Sequence, residues 1–168
     1  MPFPAPAFRI LRAVPLPAVQ AVANSALRAV LGNHPGLLER MGTHANRTFA
    51  FVPTDMPWTF LVTPRARKLI VARRPSRIAA DATISAPIIL LLALLEGKAD
   101  GDAAFFARGV EVEGDMESVV AVRNALDDAA IDLPRELAPT RGPLHRPLKL
   151  GLQRLRAMLL AREGVRWN

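Results

Sequence analysis

The chain has 168 residues, 51% of them hydrophobic, with 22 basic against 15 acidic side chains, a net charge of +7 and no cysteine. That length suits one domain with a sizeable core, and that hydrophobic content excludes a disordered chain. The absence of thiols excludes disulfides, thiolate catalysis and sulfur-ligated metals, and fits a reducing compartment.

Residues 1–16 are broken by proline. The apolar stretch after Arg9 and Arg12 is interrupted by Pro15 and Pro17, which argues against a secretory leader. From Pro17 a helical pattern begins, with Val19, Val22, Leu27, Val30 and Leu31 roughly on one side and Gly32-Asn33 as the stop. A short helix follows over Pro35–Met41, ended by Gly42. The period then changes: Thr48–Val52, Trp58–Thr63, Lys68–Ala72 and Ala80–Ile84 read as strands, the first two joined by the turn residues PTDMP. Ser85-Ala86-Pro87 reads as the cap and first turn of an apolar helix through Leu95, ended by Gly97. Its apolar run, Ala82–Leu95, is shorter than the roughly 20 residues a bilayer span needs.

Gly101–Ala107 reads as a loop or short helix. Arg108–Glu113 alternates, with Val110 and Val112 on one face and Glu111 and Glu113 on the other, as in a half-buried strand. Asp115 is placed to cap a helix whose Val119, Val122, Leu126 and Ala129 form one buried stripe. Residues 134–147 are a proline-rich linker. Residues 148–168 are a basic amphipathic helix, with Leu148, Leu152, Leu155 and Leu159 on one face. The fold expected is α+β: a largely antiparallel sheet of about five strands packed with helices. Four segments make up the chain: an N-terminal segment over 1–42, the main domain over 43–133, the linker over 134–147 and the tail over 148–168.

Charge is segregated. Residues 65–77 carry six basic groups and no acidic one, residues 78–140 four basic and twelve acidic, and residues 141–168 seven basic and one acidic. Such asymmetry points to an anionic partner surface, lipid or nucleic acid, or simply to a solvated face.

The catalytic inventory is poor. No nucleophile elbow, zinc-protease helix or phosphate loop is present. His34, His44 and His145 lack metal-ligand spacing and are expected at the surface. Glu111, Glu113 and Asp115 form no convincing acid–base pair, since Asp115 has a capping role. No catalytic residue, metal or cofactor is expected.

The stretch Asp81–Asp115, DATISAPIILLLALLEGKADGDAAFFARGVEVEGD, resembles the sterol carrier protein type 2 domain. The resemblance lies in D-A-T-I, the apolar helix, Leu-Glu-Gly-Lys, an aromatic before a strand, and V-E-V-E-G-D before a helix. Within that family, DAAFFARGVEVEGDMESVVAVRNALDDAAIDL is most similar to bacterial accessory factors of ubiquinone biosynthesis. The resemblance implies helices and a sheet enclosing an apolar lipid tunnel, no catalytic residues, and a part in the oxygen-independent route to ubiquinone with partner proteins of that pathway. The ligand implied is a prenylated quinone precursor or a phospholipid.

On this reading the tunnel wall comprises Phe60, Ile88, Leu91, Leu92, Leu95, Phe105, Phe106, Val110, Val112, Val119, Val122 and Leu126, each of which serves equally as plain core. Lys149, Arg154, Arg156 and Arg162 suit an anionic membrane surface, or a helix packed on its own domain or on a second subunit. The location expected is cytoplasmic, peripheral to the inner membrane, with a homodimer left open. The rival is a scaffold with a self-filled core that gathers partners through its basic tail; nucleic-acid binding is the weakest alternative.

Overall fold

The computed structural model describes residues 14–75, 79–97 and 109–132. The described elements, in chain order, are helices α1 (Leu16–Asn33) and α2 (Gly36–Met41), a 3-10 turn (Gly42–Asn46), strands β1 (Phe49–Pro53), β2 (Trp58–Thr63), β3 (Lys68–Arg73) and β4 (Ala82–Ala86), helix α3 (Ile88–Leu95), strand β5 (Glu111–Gly114) and helix α4 (Met116–Ala129). Phe105 and Phe106, the linker, and the tail with Lys149, Arg154, Arg156 and Arg162 lie outside the described residues.

The five strands form one sheet in the order β3-β2-β1-β4-β5. Neighbours are antiparallel except at the centre, where β1 and β4 run parallel and Phe49 pairs with Ala82. The fold is α+β with a mostly antiparallel sheet. Because strand side chains alternate, these registers put Phe49, Phe51, Phe60, Val71, Ile84 and Val112 on one face. That face carries the core: Phe49, Ala82, Ile84 and Ala86 from the sheet pack with Val30, Leu31, Leu37 and Met41 from α1 and α2, and with Leu90, Leu91, Val119, Val122 and Leu126 from α3 and α4. The opposite face also buries Ala50, Thr59 and Leu61.

The structure corrects the sequence expectation at strand ends, where β5 spans Glu111–Gly114 and not Arg108–Glu113, and more consequentially at the start of α3 and in α1. Ser85 and Ala86 continue β4, because the parallel ladder with β1 runs on to the pair Pro53–Ala86. The cap of α3 is therefore not Ser85. Pro87 holds the cap position, and the Asp55 carboxylate accepts the Ile88 amide at 2.9 Å from the β1–β2 loop. In α1, Val22 does not join the buried side; it is 64% exposed, while Val30 and Leu31 are buried. The first half of that helix faces the β3 edge with polar groups instead: the Gln20 carboxamide accepts from the Val71 amide and donates to the Leu69 carbonyl, both at 2.8 Å.

One end of the sheet is closed by a polar knot. Asp81 accepts the Thr48 amide at 2.7 Å and lies 3.3 Å from Arg47, tying the start of β1 to the start of β4. The Asp81 carbonyl accepts the Asp115 amide at 2.9 Å, bringing in the end of β5. Gly114 makes this approach possible: at φ +91°, a Cβ there would stand 2.3 Å from the Asp81 carbonyl oxygen.

Candidate lipid-binding face

Helix α3 has the sequence IILLLALL and no polar side. A helix that is apolar all round needs cover on more than one side. Leu90 and Leu91 belong to the main core, with Leu94 and Leu95 packed against it. Ile89 and Ala93, four residues apart and so on one line, are buried outside that cluster. The helix is thus a wall with apolar surface on both sides. Ile88 is half-buried and Leu92 is 37% exposed.

The expected wall residues of α4, of β5 and of the position just before it converge on the same cluster. Val110, Val119, Val122 and Leu126 are buried in it, and Val112 packs against it half-buried. Phe60 stands apart from this cluster. It is half-buried on the same sheet face, flanked by Phe51 on β1 and Val71 on β3. The structure therefore brings together Leu91, Leu95, Val110, Val112, Val119, Val122 and Leu126, and leaves Phe60, Ile88 and Leu92 at the margin.

Two polar groups are buried on α3 and on the sheet. Glu96, at the end of α3, is 3% exposed. Trp58, two residues before Phe60 on the same strand face, is 5% exposed, and its Nε1 has no hydrogen-bond partner among the described residues. Leaving such a donor unsatisfied costs about 1–3 kcal/mol. The sequence reading treated Trp58 only as the first residue of a strand. The available signal was its alternation with Phe60, together with an indole that donates but cannot accept.

The polar knot has an arrangement that resembles a catalytic triad only in composition. The Ser118 hydroxyl donates to Asp115 at 2.7 Å, and its oxygen lies 2.8 Å from His44 Nδ1. The serine sits between acid and imidazole with its proton on the carboxylate, and it is fully buried. A nucleophilic serine needs the opposite order and an open face. Asp115 also accepts the Ser118 amide at 3.1 Å, so it caps α4 as its position in the sequence implies. These two hydrogen bonds from Ser118, side chain first and then backbone, hold the Asp115 carboxyl below the usual carboxylate range. His44 is half-buried and hydrogen-bonded, not a free surface residue. Glu111 and Glu113 are exposed on the edge strand and converge on nothing. Among the described residues no cluster of three metal-ligating side chains occurs, and no helix is long and apolar enough to cross a membrane.

Electrostatically the domain has two sides. Arg28 on α1 and Arg67 and Lys68 at the β2–β3 turn line an open depression of about 450 Å³ with Asn24, Ala66 and Leu69. Glu111 and Glu113 on β5 and Glu117, Asp127 and Asp128 on α4 make the opposite edge acidic.

An apolar helix and a mostly antiparallel sheet ordered β3-β2-β1-β4-β5, closed by an amphipathic helix, define a small α+β module of the sterol-carrier type. The chain belongs to the SCP-2 sterol transfer family, whose model matches residues 24–127, more than half of its length. Among solved structures it is similar to one described as a UbiJ-SCP2 ubiquinone synthesis protein, with 21% identity and a TM-score of 0.56 over 71% of this chain and 98% of that one. It is also similar to the sterol carrier protein domain 2 of Helicoverpa armigera, with 18% identity and a TM-score of 0.45 over 62% of this chain and 84% of that one. A third is sterol carrier protein 2 of Aedes aegypti in complex with palmitate, with 19% identity and a TM-score of 0.45 over 60% and 94% of the two chains. The search of curated proteins gives no match.

Proposed function

We propose that the protein is a non-catalytic lipid-binding accessory factor of ubiquinone biosynthesis, which holds or presents prenylated quinone intermediates. The observation that carries this reading is helix α3. It is apolar on every side, joined to the core by Leu90 and Leu91, and continuous through the buried side chains of α4 with the apolar sheet face. Sequestering an isoprenoid tail needs only such a surface, because removing apolar area from water contributes roughly 25 cal/mol per Å². Family membership supports lipid binding. The likeness of Asp102–Leu133 to the bacterial accessory factor UbiT supports the pathway and its oxygen-independent branch, and the ubiquinone synthesis protein among the structural neighbours supports the pathway. Partner proteins of that pathway would receive the bound intermediate, and the basic residues Lys149, Arg154, Arg156 and Arg162 would serve transient contact with an anionic membrane.

Mass spectrometry of an organic extract of the gently purified protein tests this. A stoichiometric prenylphenol or quinone precursor is the expected result. An empty extract, from protein that also takes up no added prenyl lipid, overturns the reading.

A further inference from the structure

We propose that Trp58 is the head-group contact of the lipid site, donating its indole Nε1–H to a neutral acceptor oxygen of the ligand, such as a quinone carbonyl. This rests on the lipid-binding reading above and adds to it the chemical class of the head and the residue that meets it.

The argument starts from the row of residues across the sheet. Extending the antiparallel register of β1 and β2 sets Trp58 in line with Pro53, and Pro53 pairs with Ala86 in β4. Trp58 itself pairs with Arg73 on β3. The row lies on the apolar face that carries Phe49, Phe51 and Phe60, at the end where β4 gives way through Pro87 to the first turn of α3. The indole therefore lies at the same end of the sheet as the start of the apolar helix, one strand-face step beyond Phe60.

The polar groups of this row and of the loops beside it are already engaged. The Ala86 carbonyl accepts the Thr54 amide at 2.9 Å, and the Pro57 carbonyl accepts the Arg74 amide at 3.0 Å. The Pro53 carbonyl accepts from the Arg74 guanidinium at 2.8 Å, and Asp55 is taken by the Ile88 amide at 2.9 Å. The Trp58 Nε1–H remains as a buried donor without a partner among the described residues. An indole donates and never accepts, so the ligand atom that meets it must carry a lone pair. The donor is neutral. The two cations at this end of the sheet are exposed and both engaged by backbone carbonyls: Arg73 donates to the Val14 carbonyl at 3.2 Å and Arg74 to the Pro53 carbonyl at 2.8 Å. A carboxylate head buried against a single neutral donor would lose more hydration than that bond returns, whereas a carbonyl would not. The geometry thus favours a neutral oxygenated head over a fatty acid.

The test uses the full chain with Trp167→Phe, which leaves Trp58 as the only indole of the two in the sequence. A short-tailed prenyl benzoquinone, an isoprenoid hydrocarbon of the same tail length and a fatty acid are each titrated by displacement of a fluorescent lipid. The quinone is expected to bind more tightly than the hydrocarbon. Adding Trp58→Phe should weaken quinone binding about tenfold, the ratio that one neutral hydrogen bond gives, and leave the hydrocarbon unchanged. In ¹⁵N-labelled protein the single indole N–H resonance should move with the quinone and stay put with the hydrocarbon, a readout independent of how well the variant folds. Equal binding of quinone and hydrocarbon, an unmoved indole resonance, or a preference for the fatty acid overturns the Trp58 inference while lipid binding stands. Binding of none of the three overturns the lipid-binding reading itself, and the Trp58 inference with it.

Discussion

Gln20 meets Val71 as one strand meets the next. Its carboxamide accepts the Val71 amide and donates to the Leu69 carbonyl, both at 2.8 Å, so one helical side chain pairs with the outward groups of edge strand β3. An unpaired edge is a template for association with another chain, and here a single residue covers its middle.

Replacing Gln20 with alanine should cost about 1–2 kcal/mol, the net worth of two partly buried hydrogen bonds. Amide exchange at Val71 should accelerate more than at Ile70, whose amide faces β2. Chemical denaturation and hydrogen exchange measure both. A variant with unaltered stability and unaltered exchange at Val71 would show that α1 is held by packing alone.

Gly114→Ala should be among the most damaging single-methyl changes in the domain. The added carbon meets the Asp81 carbonyl oxygen at 2.3 Å, in a backbone conformation that disfavours any Cβ. The expected loss exceeds about 2 kcal/mol, or the protein fails to accumulate. Gly32→Ala is the control. It sits in α1 with nothing within 4 Å of its new carbon, and it should gain up to about 1 kcal/mol from helix propensity.

Two aspartates at opposite ends of α4 should respond to pH with opposite signs. Asp115 caps the N-terminus and is held below the usual carboxylate range by the Ser118 hydroxyl and amide. Its folded pKa is depressed, so its contribution is full above the unfolded value and is lost as pH falls through the folded one. Asp127, near the C-terminal end, is pushed up by burial, only partly offset by Arg123. Its folded pKa is raised, so its ionisation weakens the fold as pH rises through the ordinary aspartate range. Asp115→Asn should therefore lower the melting temperature at neutral pH, and Asp127→Asn should raise it. Both differences should shrink in acid. Melting curves from pH 2 to 7 decide this, and a matching sign for the two variants would contradict it.

Leu91 and Leu92 are adjacent in α3 but not equivalent. Leu91→Ala, at a site 8% exposed within the core cluster, should cost about 2–4 kcal/mol. Leu92→Ala, at a site 37% exposed, should cost less than about 1 kcal/mol. If Leu92→Ala nevertheless weakens uptake of a prenyl lipid, its partly open side chain contacts ligand and not core.

The strands were legible because their alternation is strong. Trp58–Thr63 falls where its run of aromatic and β-branched residues put it. The α3 cap was misread because Ser85-Ala86-Pro87 has the local chemistry of a helix start. Only the long-range ladder to Pro53 keeps Ser85 and Ala86 extended, and only Asp55, 33 residues away, supplies the real cap. Val22 misled for a similar reason: helical periodicity predicts a buried stripe, and the partner of that helix is a strand edge satisfied by an amide. The motif residues Asp81, Gly114 and Asp115, which made the family recognisable, turn out to form the knot that ties β1, β4 and β5 together. They mark the fold and not the ligand. Trp58 escaped notice because a missing hydrogen bond is visible only once every neighbour has been placed.

The parallel pairing of β1 with β4 also orders events in time. The β1–β2–β3 meander closes through short loops, and the pair Thr63–Lys68 needs only a tight turn. The pair Phe49–Ala82 closes a far longer stretch of chain, and a meander already formed shortens the loop that remains to be closed. Closing a longer loop costs more chain entropy before any contact rewards it. Loop entropy thus favours a local step before a distant one, with the Asp81–Thr48 bond closing at the distant step and α3 and α4, which follow β4 in the chain, covering the apolar face only after it.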